Sequence, residues 1–142
     1  MILFTDIDDT IADTSARQHL IEESSWDAFH AASGDDPPIP ATVALLDALA
    51  TSYHIVALTA RPEKWRTLTM TWLVRNNVHV HELLMRPDAD FRPSALVKPD
   101  VAIARYGTPE ALQQAVSFVI DDREDVLAAF LALGIPGFRI HR

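Results

Sequence analysis

The feature that most constrains this chain is a series of short apolar runs separated by segments with helical spacing. Ile2–Thr5, His54–Leu58, Glu82–Met85, Ser117–Ile120 and Gly137–Ile140 read as buried strands. Between them, Ala41–Ala50 carries apolar residues on nearly every turn, and Glu63–Arg75 follows Pro62, a residue suited to a first helical turn. Asp125–Leu133 ends at Gly134, a helix C-cap residue. Ser33–Pro40 is punctuated by Gly and Pro and reads as a loop. Strands that alternate with helices imply parallel βαβ units, and strands apolar on both faces imply a sheet covered on both sides. The expected fold is therefore α/β: a three-layer α/β/α, Rossmann-like domain with a parallel sheet, spanning residues 1–142 as one unit.

Composition supports that reading and removes others. A chain of 142 residues, 49% hydrophobic with a mean hydropathy of +0.06, has the apolar material for a core and is not of disordered type. No apolar run approaches the roughly 18–20 residues of a membrane span. The N-terminus meets acid by Asp6 and has no basic leader, so a signal peptide is not expected. The absence of cysteine excludes disulfides and thiolate metal sites, and points to the cytoplasm. The net charge of −8 is uneven: residues 1–60 hold one arginine, Arg17, and no lysine against ten acids. Proteins that coat duplex DNA are usually basic, so stable duplex binding is not expected and nucleic-acid contact would be local.

In a parallel α/β sheet the active site lies beyond the carboxyl ends of the strands. The first run is followed there by Asp6-Ile7-Asp8-Asp9-Thr10, the second by Thr59-Ala60-Arg61, and the fourth by Asp121-Asp122-Arg123. So many carboxylates at one edge repel one another unless a cation sits among them. Oxygen ligands with no cysteine, and no histidine at ligand spacing, suit Mg²⁺. Trp65 and Trp72 sit seven apart, which is core spacing on a helix, whereas Trp26 follows the first acidic cluster and is a candidate for substrate contact.

These residues resemble a family. Asp6-Ile7-Asp8-Asp9-Thr10, Thr59, Lys98 and Asp121-Asp122 match in order the four motifs of the haloacid dehalogenase superfamily of phosphotransferases. Position 9 departs from the pattern, which usually has Gly there. The stretch from Thr59 to Leu73, with Leu84-Met85-Arg86, Asp90-Phe91-Arg92 and Val97-Lys98, is similar to the 3′-phosphatase domain of bacteriophage polynucleotide kinase/phosphatase. The kinase motif G-x-x-x-x-G-K-[ST] is absent from the sequence.

The resemblance implies a phosphoric monoester hydrolase working through an aspartyl-phosphate. Asp6 would be the nucleophile and Asp8 the general acid and base. Thr59, at the start of the following helix, and Lys98 would hold the phosphoryl oxygens. Asp6, the carbonyl of Asp8 and Asp122 would hold Mg²⁺, with Asp121 in support. Thr10 would fix the loop, and Arg61, Arg86 and Arg92 would contact substrate phosphates. The substrate would be a 3′-phosphorylated nucleic-acid end or, alternatively, a nucleoside monophosphate. About fifty residues separate Asp9 from Thr59 and about forty separate Thr59 from Lys98. Neither gap accommodates a large cap domain, so only a small helical rim over Ala12–Ala32 is expected.

Overall fold

The computed structural model describes residues 1–141. Five parallel strands form one sheet: β1 (Ile2–Thr5), β2 (His54–Pro62), β3 (Glu82–Arg86), β4 (Val116–Asp121) and β5 (Gly137–Arg139). Their order in space is β3-β2-β1-β4-β5. The chain thus steps outward from β1 on one side, then returns to β1 and steps outward on the other. The carboxyl ends of β1 and β4 flank that switch point, where a doubly wound sheet leaves its ligand crevice.

Alternation along the strands builds both outer layers. Leu3, Ile55, Ala57 and Ile120 pack with Leu46 of α3 (Pro40–Leu49) and with Trp72 and Leu73 of α4 (Arg66–Arg75). Their neighbours Phe4, Val56, Leu58 and Val119 point the other way. They meet Ala102 of α5 (Ser94–Tyr106), Leu112 of α6 (Pro109–Ala115), and Val126 and Phe130 of α7 (Glu124–Ala132). With both faces covered, the inner strands β1, β2 and β4 are apolar over most of their length, as the sequence pattern implies. The edge strand β5 departs from the expectation of a buried strand: Gly137, Phe138 and Arg139 are all exposed, because β5 has a neighbouring strand on one side only. The three-layer parallel fold without a large cap is the one expected. Two short helices, α1 (His19–Glu23) and α2 (Trp26–Ala31), form the rim. No helix among the described residues is long and apolar enough to cross a membrane.

Several boundaries differ from the sequence expectation. The strand expected to end at Leu58 runs on to Pro62, with its register against β3 broken between Thr59 and Pro62. The helix expected over 63–75 opens as a 3₁₀ turn at Glu63–Trp65, and α4 begins only at Arg66. Thr59 therefore lies within β2, not at a helix N-terminus. The Ser33–Pro40 loop starts inside a 3₁₀ turn at Ala32–Asp35. Helices α5 and α6 carry no boundary that the sequence reading marked, and Pro99 sits inside α5. Trp72 is buried, as its spacing suggested, and its indole Nε1 donates to the Asp36 carbonyl at 2.8 Å.

Candidate active site

The acidic loop after β1 is built by local hydrogen bonding. The amide of Asp6 still donates to Ile120 of β4 at 2.9 Å, so the side chain of Asp6 is fixed beside the β4 terminus. Ile7 then buries itself in the core, and its carbonyl accepts from the amides of Ile11 and Ala12. The tight reversal this creates puts Asp9 at φ +60°, the left-handed region that glycine normally fills. Aspartate is one of the few side chains that enters this region readily. Its Oδ1 accepts from Thr14 Oγ1 at 2.6 Å and from the Thr14 amide at 3.2 Å, which holds the turn from within. The departure at position 9 thus keeps the backbone shape.

Asp6 and Asp121 are both buried, and a single cation joins them. Lys98, extending from α5, places Nζ 2.8 Å from Asp6 Oδ1 and 2.6 Å from Asp121 Oδ2. Burial alone would discharge this lysine, but the two carboxylates hold its ammonium well above the ordinary range. Burial pushes the Asp6 carboxyl up, and Asp121 and Asp8 add to that against the opposing Lys98. The second oxygen of Asp121 accepts from the Arg123 amide at 3.0 Å. Asp122 is half-buried, and burial, with the charges of Asp121 and Asp9, raises its carboxyl to about 6. Asp6, Asp121 and Asp122 each offer an oxygen within 4.8 Å of the others. An all-oxygen set with excess negative charge fits a small divalent cation such as Mg²⁺.

Asp8 faces a second, positively charged group. Arg61, fully buried at the end of β2, donates from Nη2 to Asp8 Oδ1 at 2.7 Å and from Nε to Oδ2 at 3.0 Å. Arg17, from the rim, donates to the same Oδ1 and to Asp36 at 2.7 and 2.9 Å. It also reaches the Phe29 carbonyl at 3.0 Å and lies 3.9 Å above the Phe29 ring. Burial would raise Asp8, yet Arg61, then Arg17, hold its carboxyl well below the usual range. His30 is buried beside this group, and burial pushes its imidazole down to about 4, so it is neutral there. The Arg17–Asp36 pair was not singled out from the sequence. The available signal was that Arg17 is the single lysine or arginine among the first sixty residues.

The remaining candidates fall into two groups. Thr10 is fully buried with its hydroxyl unpartnered, and Thr59 is buried with Oγ1 accepting from the Arg61 amide at 3.2 Å. Trp26 is 60% exposed and stacks on His30 at 6.0 Å. Arg86 and Arg92 are already engaged within the chain. Arg86 donates to the carbonyls of Ala60, Asp90 and Arg92, and Arg92 pairs with Asp90 and Asp100. The structure thus brings Asp6, Lys98, Asp121 and Asp122 together and places Asp8 with Arg61, while Arg86 and Arg92 brace a neighbouring loop.

Known proteins share the family and the fold. The family model of the polynucleotide kinase PNKP phosphatase domain matches residues 1–142. Two structures of the Pnkp1/Rnl/Hen1 complex, one described as an RNA repair complex, contain a chain that superposes with TM-scores of 0.80 and 0.78 at 20% identity. Both matches cover 98% of this chain but only 42% and 45% of theirs, so the chain spans less than half the length of those proteins. A haloacid dehalogenase-like hydrolase from Streptococcus pneumoniae superposes with a TM-score of 0.68 at 15% identity, covering 99% of this chain and 84% of that one. A family enzyme from Bacteroides thetaiotaomicron, solved with magnesium and inorganic phosphate, gives 0.61 at 12% identity, covering 98% and 93%. No curated protein matches the sequence. With its whole length matched, the chain belongs to the polynucleotide kinase PNKP phosphatase domain family and is a haloacid dehalogenase-type phosphoric monoester hydrolase.

Proposed function

We propose that this phosphatase is Mg²⁺-dependent, works through an aspartyl-phosphate on Asp6, and removes the 3′-phosphate from nucleic-acid ends. The observation that carries the chemistry is the buried Asp6 carboxylate, joined by Lys98 to Asp121 with Asp122 alongside. Asp6, the Asp8 carbonyl and Asp122 would hold the cation, with Asp121 oriented behind them. When bound, it would offset the negative charge of the phosphoryl oxygens.

Asp6 attacks phosphorus, the bond to the ester oxygen breaks, and Asp8 delivers the proton to that oxygen. Water then attacks the aspartyl-phosphate, giving its proton to Asp8 and releasing inorganic phosphate. Lys98 and the Thr59 hydroxyl hold phosphoryl oxygens in both steps. Arg61 and Arg17 keep Asp8 ionised, the form that accepts a proton from water. For the first step Asp8 must be protonated, which requires weaker guanidinium contact, and an arriving phosphate is the competing anion. Arg61, close to both, is the side chain best placed to change partner.

Substrate size follows from the open edge. The carboxyl ends are bordered by the small rim of α1 and α2 and by the loop after β3, with no folded cap among the described residues, so a polymer terminus can enter, while a free nucleotide gains little enclosure. Trp26 on the rim would contact the substrate. Arg86 and Arg92 would act by positioning their loop. The test compares kcat/KM for 3′-phosphorylated oligonucleotides and nucleoside monophosphates at fixed ionic strength. We expect the oligonucleotides to be preferred and Asp6→Asn to lower kcat by on the order of 10³-fold or more. A tenfold preference for monophosphates would replace this substrate assignment with a nucleotidase.

A further inference from the structure

The loop between β3 and α5 stands at the same sheet edge as Asp6, because all five strands are parallel. Among the described residues its Phe91 is the most exposed large hydrophobic side chain, at 91%. Exposure of one apolar residue is ordinary by itself. What distinguishes Phe91 is the rigidity of its support. Arg86 Nε donates to the Ala60 carbonyl at 2.8 Å, and Arg86 Nη1 to the carbonyls of Asp90 and Arg92 at 2.9 and 2.6 Å. Asp88 accepts from the Lys64 amide at 2.8 Å, so the start of the loop is tied at two points to the segment that follows Thr59. Phe91 also lines an open cavity of about 590 Å³ with Pro87, Ala89, Asp90 and Arg92.

The charges of this loop are already satisfied. Arg92 pairs with Asp90 at 2.7 Å and with Asp100 at 2.8 Å, and Arg86 is spent on carbonyls. What the loop offers a ligand is an exposed aromatic face, carried on a braced backbone at the same sheet edge as the phosphate site. Every nucleobase has a complementary π face, and single-stranded nucleic acids are bound by such platforms without sequence preference. A loop backbone tied in this way also lowers the ordering cost of binding. We infer that Phe91 is a stacking platform for a base of the strand whose 3′-phosphate occupies the Asp6 site. This inference rests on the substrate reading given above.

The experiment measures kcat/KM for a 3′-phosphorylated trinucleotide relative to a base-free alkyl phosphate, across a range of salt concentrations. The proteins are wild type, Phe91→Ala and Phe91→Trp, with melting temperature reporting that each is folded. Phe91→Ala is expected to lower the ratio on the order of tenfold, with an unchanged salt slope, while Phe91→Trp retains the wild-type ratio. An unchanged ratio in Phe91→Ala, with wild type still preferring the trinucleotide, overturns the platform alone. A smaller salt slope in Phe91→Ala also overturns it, since the loop would then act through charge. So does self-association of wild type that Phe91→Ala abolishes, because the ring would then seat a second copy. A wild-type ratio near one overturns the substrate reading, and the platform with it.

Discussion

Arg17 is enclosed by Asp36, Asp8, the Phe29 carbonyl and the Phe29 ring, and it links the rim to the acidic loop. Its removal would leave Asp36 buried with Arg61 as its remaining cation, 3.7 Å away. Stranding a buried charge costs more than the pair itself contributes. Arg17→Met is therefore expected to lower the unfolding free energy by about 3–5 kcal/mol in urea titrations. Arg17→Met combined with Asp36→Leu should recover part of that loss, because no charge is then left alone. A loss from the single variant below about 1 kcal/mol, in the range of an exposed pair, would show that the pair does not brace the fold. Residues of this kind are hard to find in a sequence. Asp6, Asp8 and Asp121 stand out because each follows an apolar strand, which fixes where it must emerge. Arg17 follows no such element, and its role depends on Asp36, nineteen positions away.

At the scale of elements, helix α7 ends in a complete Schellman arrangement. The Ile135 amide donates to the Phe130 carbonyl at 3.0 Å and the Gly134 amide to Leu131 at 2.9 Å. Gly134 has φ +78°, and an added Cβ would meet the Gln113 side chain. Gly134→Ala should destabilise the protein by about 1–2 kcal/mol in the same titration, and Gly134→Asn by less, since Asn tolerates this backbone region. An Ala variant as stable as wild type would mean the turn relaxes to another conformation. This glycine was legible because a helix stop has a chemical signature. The five strands were legible for a related reason, their apolar runs being bounded by polar residues. Helices α5 and α6 were not. Pro99 breaks the helical signal inside α5, yet α5 tolerates it where packing against the sheet supplies the missing support. Lys98 was therefore located through its motif resemblance, and the helix that delivers it to Asp6 became visible only in three dimensions.

At the scale of the whole molecule, the strand order gathers acids from distant parts of the chain at one edge. The first sixty residues contribute Asp6 and Asp8, and the end of β4 and the residue after it contribute Asp121 and Asp122. A cation that binds the folded state alone stabilises it by about 2.7 kcal/mol at a hundredfold excess over its Kd. Mg²⁺ is therefore expected to raise the melting temperature by several degrees, read by scanning fluorimetry or calorimetry. Asp122→Asn should raise the melting temperature without metal, by relieving repulsion, and should lose most of the Mg²⁺ shift. A full shift in that variant would remove Asp122 from the ligand set. The small rim over this edge has a kinetic meaning as well. Enzymes that close a lid over their substrate wait for it to reopen, and often their turnover is set by that motion. Among the described residues there is no folded cap to swing, so under the proposed mechanism solvent would meet the phosphorylated aspartate as soon as the leaving strand drifts off. The lifetime of that covalent state would then be governed by how quickly the departing end diffuses away, and each catalytic cycle would run without a gate.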